Sequence, residues 1–235
     1  MKIEAVCEYN RGGYLIYAAN FPGAYVRGET KDQAMAKFPS ELHSYLCWSG
    51  IQVDRLHDLE IDIVQEKESE LQICDADSDV LFDREVDALT DAQYQHLKML
   101  VLRSARDFHT IFAAIENPNI SDLPHRQSFY GSVPRTPRQM YEHTNRTTAY
   151  YASAFGIDLV NVEDIYENRM QILSKIEATD NYLSNQVYVA PDGERWTVRK
   201  LLRRFLWHDR IHAKAMWRLA SRLWGNSIPN PFFFL

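Results

Sequence analysis

The stretch Glu194–Ala220, ERWTVRKLLRRFLWHDRIHAKAMWRLA, decides how the second half of the chain is read. Trp196-Thr197 opens a helix that runs to about Trp224, where Gly225 stops it. His208 and His212 are four residues apart, so one face of that helix presents both rings one turn apart. At about 100° per residue, His212 falls about 40° from His208, among Leu201, Phe205 and Leu219. Arg199, Arg203, Arg210 and Lys214 fall on the opposite face. They read as a solvated face, or as cations that meet acidic residues from the first half of the chain.

Working outward, three more helices precede this one. Thr90-Asp91-Ala92-Gln93 is a capping-box pattern, and Leu97, Leu100, Val101, Ser104, Phe108, Ile111, Phe112 and Ile115 recur at helical spacing until Asn117-Pro118. Thr136-Pro137-Arg138-Gln139 opens the next, with an N-cap Thr, an N1 Pro and an N3 Gln; Gly156 closes it. Asn161 is the expected cap of a helix running to about Thr179, with Ile165, Met170, Leu173 and Ile176 inward. Between the first two lies a long loop, 117–135, of the kind that often covers a site or a partner surface. Four helices with such caps predict a helical bundle. The apolar tail SIPNPFFFL, 227–235, is expected to pack on the protein or on a second subunit, which suggests a homodimer.

The first half reads differently. Ile3, Ala5, Cys7 and Tyr9 alternate with Lys2, Glu4 and Glu8, as in a half-buried strand. Asn10-Arg11-Gly12-Gly13 turns the chain into a second strand, Tyr14–Ala19, and a third follows at Ala24–Arg27. Thr30 caps a helix expected to reach about Cys47, with Pro39 predicted to kink or split it. Leu59–Val64 and Glu70–Cys74 read as further strands. The segment 76–89 is acidic and lacks periodic apolar residues, so it reads as a linker. Asp75, Asp77 and Asp79 alternate as in a calcium loop, but Val80 and Val86 stand where the Gly and Glu of an EF-hand belong. The fold class is therefore α+β, with an N-terminal domain over 1–75, a linker over 76–89 and a helical domain over 90–235.

Composition narrows the function. Net charge is −6, split as −10 over residues 1–90 and +4 over 91–235. An acidic first half and a weakly basic second half argue against nucleic-acid binding. Cys7, Cys47 and Cys74 are too few for a disulfide framework and lack close metal-ligand spacing. With no apolar N-terminal core and no long apolar run, the chain reads as cytoplasmic, without a membrane span. No phosphate loop and no Ser-His-Asp or Cys-His arrangement is present in the sequence.

The histidine pair carries the chemistry. Two imidazoles on one apolar stripe are hard to satisfy with aliphatic neighbours, whereas one metal ion takes a nitrogen from each. The alternatives are two unrelated histidines that meet carbonyls or each other, or a helix rotated toward solvent. His143 offers a third ligand, on a face with Met140, Thr147, Tyr150 and Ala154. Alone, a histidine on such a face is more often a satisfied core residue. Three ligands would leave coordination positions open, as catalytic sites do, and Zn²⁺, Ni²⁺, Fe²⁺ and Co²⁺ all accept imidazole. Asp209 reads as a support for His208 or as a salt bridge on its own helix, and Tyr150 and Tyr151 as core residues or proton donors. His43, His57, His96, His109 and His125 have no companion at useful spacing.

TPRQMYEHTNRTTAYYASAFG, 136–156, together with the stretch quoted first, resembles the DinB-like family of metal-binding four-helix bundles over about residues 87–225. The resemblance implies metal ligation by His143, His208 and His212, with Zn, Ni or Fe as the divalent metal. It also implies a metal-dependent, thiol-dependent transferase or hydrolase-type enzyme that brings a small-molecule thiol to an electrophile; the catalytic residues are left open. GGYLIYAANFPGAYVRGETKDQAMAKF, 12–38, resembles the HicB-like fold through Gly13, Tyr14, Pro22, Gly23, Gly28, Thr30 and Ala34. That implies a small β-β-β-α-β unit used for binding or assembly. The alternative to an enzyme is therefore a binding module whose metal is structural or absent.

Overall fold

The computed structural model describes residues 1–51, 59–128 and 131–235. The chain divides into two compact units. One comprises Met1–Thr90, Leu183–Trp207 and Phe232–Leu235; the other comprises Asp91–Tyr182 and His208–Pro231. Both are assembled from separated stretches of the chain.

The first unit holds a four-stranded sheet of β1 (Lys2–Asn10), β2 (Gly13–Ala18), β3 (Tyr25–Gly28) and β4 (Glu60–Glu68), in the order β3-β2-β1-β4. β1, β2 and β3 pair antiparallel, and β4 runs parallel to β1. A parallel neighbour needs a crossover, which helices α1 (Lys31–Met35) and α2 (Phe38–Ser49) provide. Thr30 Oγ1 accepts the N–H of Gln33 and starts α1. Pro39 then lies in the first turn of α2, where its missing N–H costs nothing, so the expected single helix is two.

Three expectations fail here. Glu70–Cys74 is not a strand: Asn10 Nδ2 donates to the carbonyls of Ser69 and Leu71, and a 3₁₀ turn follows at Ile73–Asp75. Segment 76–89 is not a solvated linker, because Ala76, Val80, Phe82, Glu85 and Leu89 are buried. Its apolar residues follow no period, which hid them. Glu8 does not face solvent either. It is fully buried, and desolvation pushes its carboxyl up against the opposing pull of Ser78, Lys67 and Arg203.

The cations of the last helix explain why this segment folds inward. That helix, α6 (Val198–Trp224), starts with Thr197 Oγ1 accepting the N–H of Lys200. Lys200, Arg203 and Arg204 are buried, not solvated. Arg203 donates from Nε and Nη2 to the two oxygens of Glu85 (Nη2 at 2.9 Å) and from Nη2 to the Val80 carbonyl at 2.8 Å. Its guanidinium lies 3.8 Å from the centre of the Phe82 ring. Arg204 donates to the Ser78 carbonyl, and Lys200 to those of Asp79 and Arg195, each at 2.7 Å. The tail closes the unit, with Phe232 stacked on Trp48 at 5.6 Å and its carbonyl accepting from Ser44 Oγ at 2.9 Å.

The second unit is built from α3 (Asp91–Ala113), α4 (Pro137–Ser153), α5 (Ile165–Glu177) and the His208–Trp224 part of α6. Thr136 and Gln139 form the full capping box on α4. Asp164, not Asn161, caps α5 by accepting from the N–H of Glu167. Asn161 instead donates to the carbonyls of Asn145 and Arg146. On α5, Ile165, Leu173 and Ile176 are buried as expected, but Met170 is exposed and Asn168 and Arg169 take the interior. Asn168 donates to Asn145 Oδ1 at 2.7 Å, which meets its need for a buried partner. Within the 117–135 loop, Gln127–Ser128 pairs with Gly131–Ser132, while 129–130 lie outside the described residues.

Breaking a buried ion pair from one side leaves the other charge stranded. Glu85→Ala is therefore expected to lower the stability of the protein by about 3–5 kcal/mol, read from its urea unfolding midpoint.

Candidate metal centre

His143 on α4 and His208 and His212 on α6 come together inside the second unit. One candidate ligand atom from each lies within 4.8 Å of the other two. The ring centres of His143 stand 5.1 Å from His208 and 4.9 Å from His212, and those of His208 and His212 are 4.6 Å apart. The Nε2 atoms of His208 and His212 approach to 3.1 Å. His208 is buried and the other two are partly so. These three imidazoles lie close enough to hold one metal ion.

Thr147 bears on the tautomer of His208. Thr147, one turn after His143, donates its hydroxyl proton to the Thr144 carbonyl at 2.7 Å. Its Oγ1, 3.3 Å from His208 Nδ1, is then left to accept. The tautomer of His208 that fits this pattern has its proton on Nδ1 and turns the Nε2 lone pair toward His212. A ligating histidine is ordinarily held in just this way by a polar partner on its other nitrogen. The sequence placed Thr147 on the face of His143; its i, i+4 spacing was the available signal for this role.

Burial, helped by the nearby Arg146 cation, pushes the His143 imidazole down to about 4. It is thus neutral and able to ligate across the neutral range. The folded chain binds fewer protons there than the unfolded chain, whose imidazole titrates near about 6.5.

Other candidates lie elsewhere. Asp209 pairs with Arg169 on α5 rather than with a residue of its own helix. Tyr150 is exposed rather than in the core, whereas Tyr151 is buried with its ring 6.4 Å from that of His208. Three histidines expected to stand alone have partners, the first two being His109, whose Nδ1 lies 3.0 Å from Tyr141 OH, and His43, whose Nε2 lies 3.8 Å from Cys47 Sγ. His125 Nε2 lies 3.3 Å from Ser132 Oγ, and His96 is exposed. His57 is outside the described residues. The Asp79 carboxylate of the suspected calcium loop is paired with Lys67.

Comparison of the chain with protein-family models, with curated proteins and with solved structures gave no match.

Two outcomes follow from this geometry. Thr147→Val removes the hydroxyl but keeps the shape, and is expected to weaken binding of added Zn²⁺ by about 10- to 100-fold in a chelator competition. For metal-free protein, stability is expected to fall as pH drops from about 6.5 toward about 4, because the unfolded imidazole takes up the proton that folded His143 refuses. His143→Gln is expected to flatten that part of the melting-temperature profile.

Proposed function

We propose that the protein is a mononuclear metal protein of the DinB-like kind, with His143, His208 and His212 as ligands of a divalent Zn, Ni or Fe ion. Its activity, on this reading, is to bring a low-molecular-weight thiol, or water, to a small electrophile. The observation that carries it is the convergence of three imidazoles from two helices on one point. The donor set fits the metal: each ring can supply one nitrogen, His143 is neutral, and Thr147 holds the His208 ring with Nε2 turned toward His212.

A divalent ion bound there would supply a Lewis acid that makes a coordinated thiol or water acidic near neutral pH. The chain's own part is positional. Three protein ligands would leave coordination positions for reactants, and four would close the site. The partial exposure of His143 and His212 gives the side from which a small molecule would arrive. Among the described residues, no helix is long and apolar enough to cross a membrane.

Elemental analysis of purified protein is expected to find about one divalent metal per chain, and none after His208→Ala/His212→Ala. Full metal content in the double variant would remove this ligand assignment. A metal-loaded protein that consumes an alkylating electrophile only with an added cellular thiol would establish the transferase reading. Loaded protein inert toward every thiol and electrophile tried would favour an assembly role.

A further inference from the structure

Arg169 of α5 and Asp209 of α6 form an ion pair, Nη2 to Oδ1 at 2.9 Å, with both side chains 0% exposed. The same guanidinium donates from Nη1 to Thr148 Oγ1 on α4. Ser104 of α3 lies beside the Asp209 carboxyl, close enough to steady its charge though outside hydrogen-bond geometry. One planar, permanently charged group therefore ties α4, α5 and α6 together inside the second unit.

Stability alone is a poor reason for such a pair. Apolar residues of similar volume are often as good or better in its place. What a fully desolvated guanidinium, shared between a carboxylate on one helix and a hydroxyl on another, does fix is register. Here the register matters at two points: Asp209 directly follows His208, and Thr148 directly follows Thr147, which holds the His208 ring. A slide of one residue along either helix is about 1.5 Å, well beyond the fraction of an ångström that a ligand set tolerates.

We infer that Arg169 and Asp209 are positioning residues for the three-histidine centre: they lock α4 against α6 in the register that brings His143 to His208 and His212. The inference rests on the metal reading proposed above. Apolar substitution of the pair should then cost metal binding and ligand geometry more than it costs the fold.

The test uses Co²⁺, whose visible absorption reports ligand number and geometry, on the full-length protein. Two variants are compared: Arg169→Met/Asp209→Leu, which removes both charges at similar volume, and Arg169→Lys, which keeps the charge and loses the fork. Both are expected to keep the wild-type helical circular dichroism. They are expected to bind Co²⁺ at least about tenfold more weakly, with an altered visible spectrum. Wild-type affinity and spectrum in both variants would overturn the inference while leaving the metal site standing. Failure of both variants to fold would make the pair structural and overturn it equally. If the wild-type protein itself takes up no Co²⁺, the metal reading fails first and the inference with it.

Discussion

A guanidinium keeps its proton inside a protein, so every arginine that a helix turns inward must be met where it lands. That constraint organises both units. Arg203 is met by the Glu85 carboxylate and the Val80 carbonyl, and Arg204 by the Ser78 carbonyl. These contacts require segment 76–89 to leave solvent and take a fixed path. In the second unit Arg169 is met by Asp209 and Thr148, and this fixes which faces of α4 and α6 remain for the histidines. Without these partners, the cations would have to face water and the helices would turn.

Much of the architecture could be read from residue patterns. Alternation gave the hairpin of β1 and β2, Thr136 with Pro137 and Gln139 gave the start of α4, and Trp196-Thr197 gave the start of α6. Local chemistry decides each of these, so the sequence exposes them. The three histidines were legible because a helix repeats its faces, though only the folded chain shows His143 meeting the other two.

The misreadings share a cause. Glu8 on β1 and segment 76–89 were assigned to solvent because they are charged or aperiodic; the arginines of α6 were read either as a solvated face or as partners of acidic residues from the first half, and the second holds for Arg203. A buried charge is affordable only through a partner distant in sequence, such as Glu85 for Arg203, and no local window contains that partner. Asn10 hid the end of the sheet for a similar reason. Its side chain takes the carbonyls of Ser69 and Leu71, the second of which a local reading assigns to a strand. Thr147 and Arg169 went unrecognised because hydroxyls and guanidinium groups acquire their roles only from what they touch.

The first unit draws on Leu183–Trp207 and Phe232–Leu235 as well as on Met1–Thr90. This interleaving bears on synthesis. When Thr90 leaves the ribosome, the helix that supplies Arg203 to Glu85 has not been made, nor has the tail that stacks on Trp48. The nascent sheet must wait, with an acidic, partly apolar flank uncovered, until Leu183–Trp207 and Phe232–Leu235 have been made.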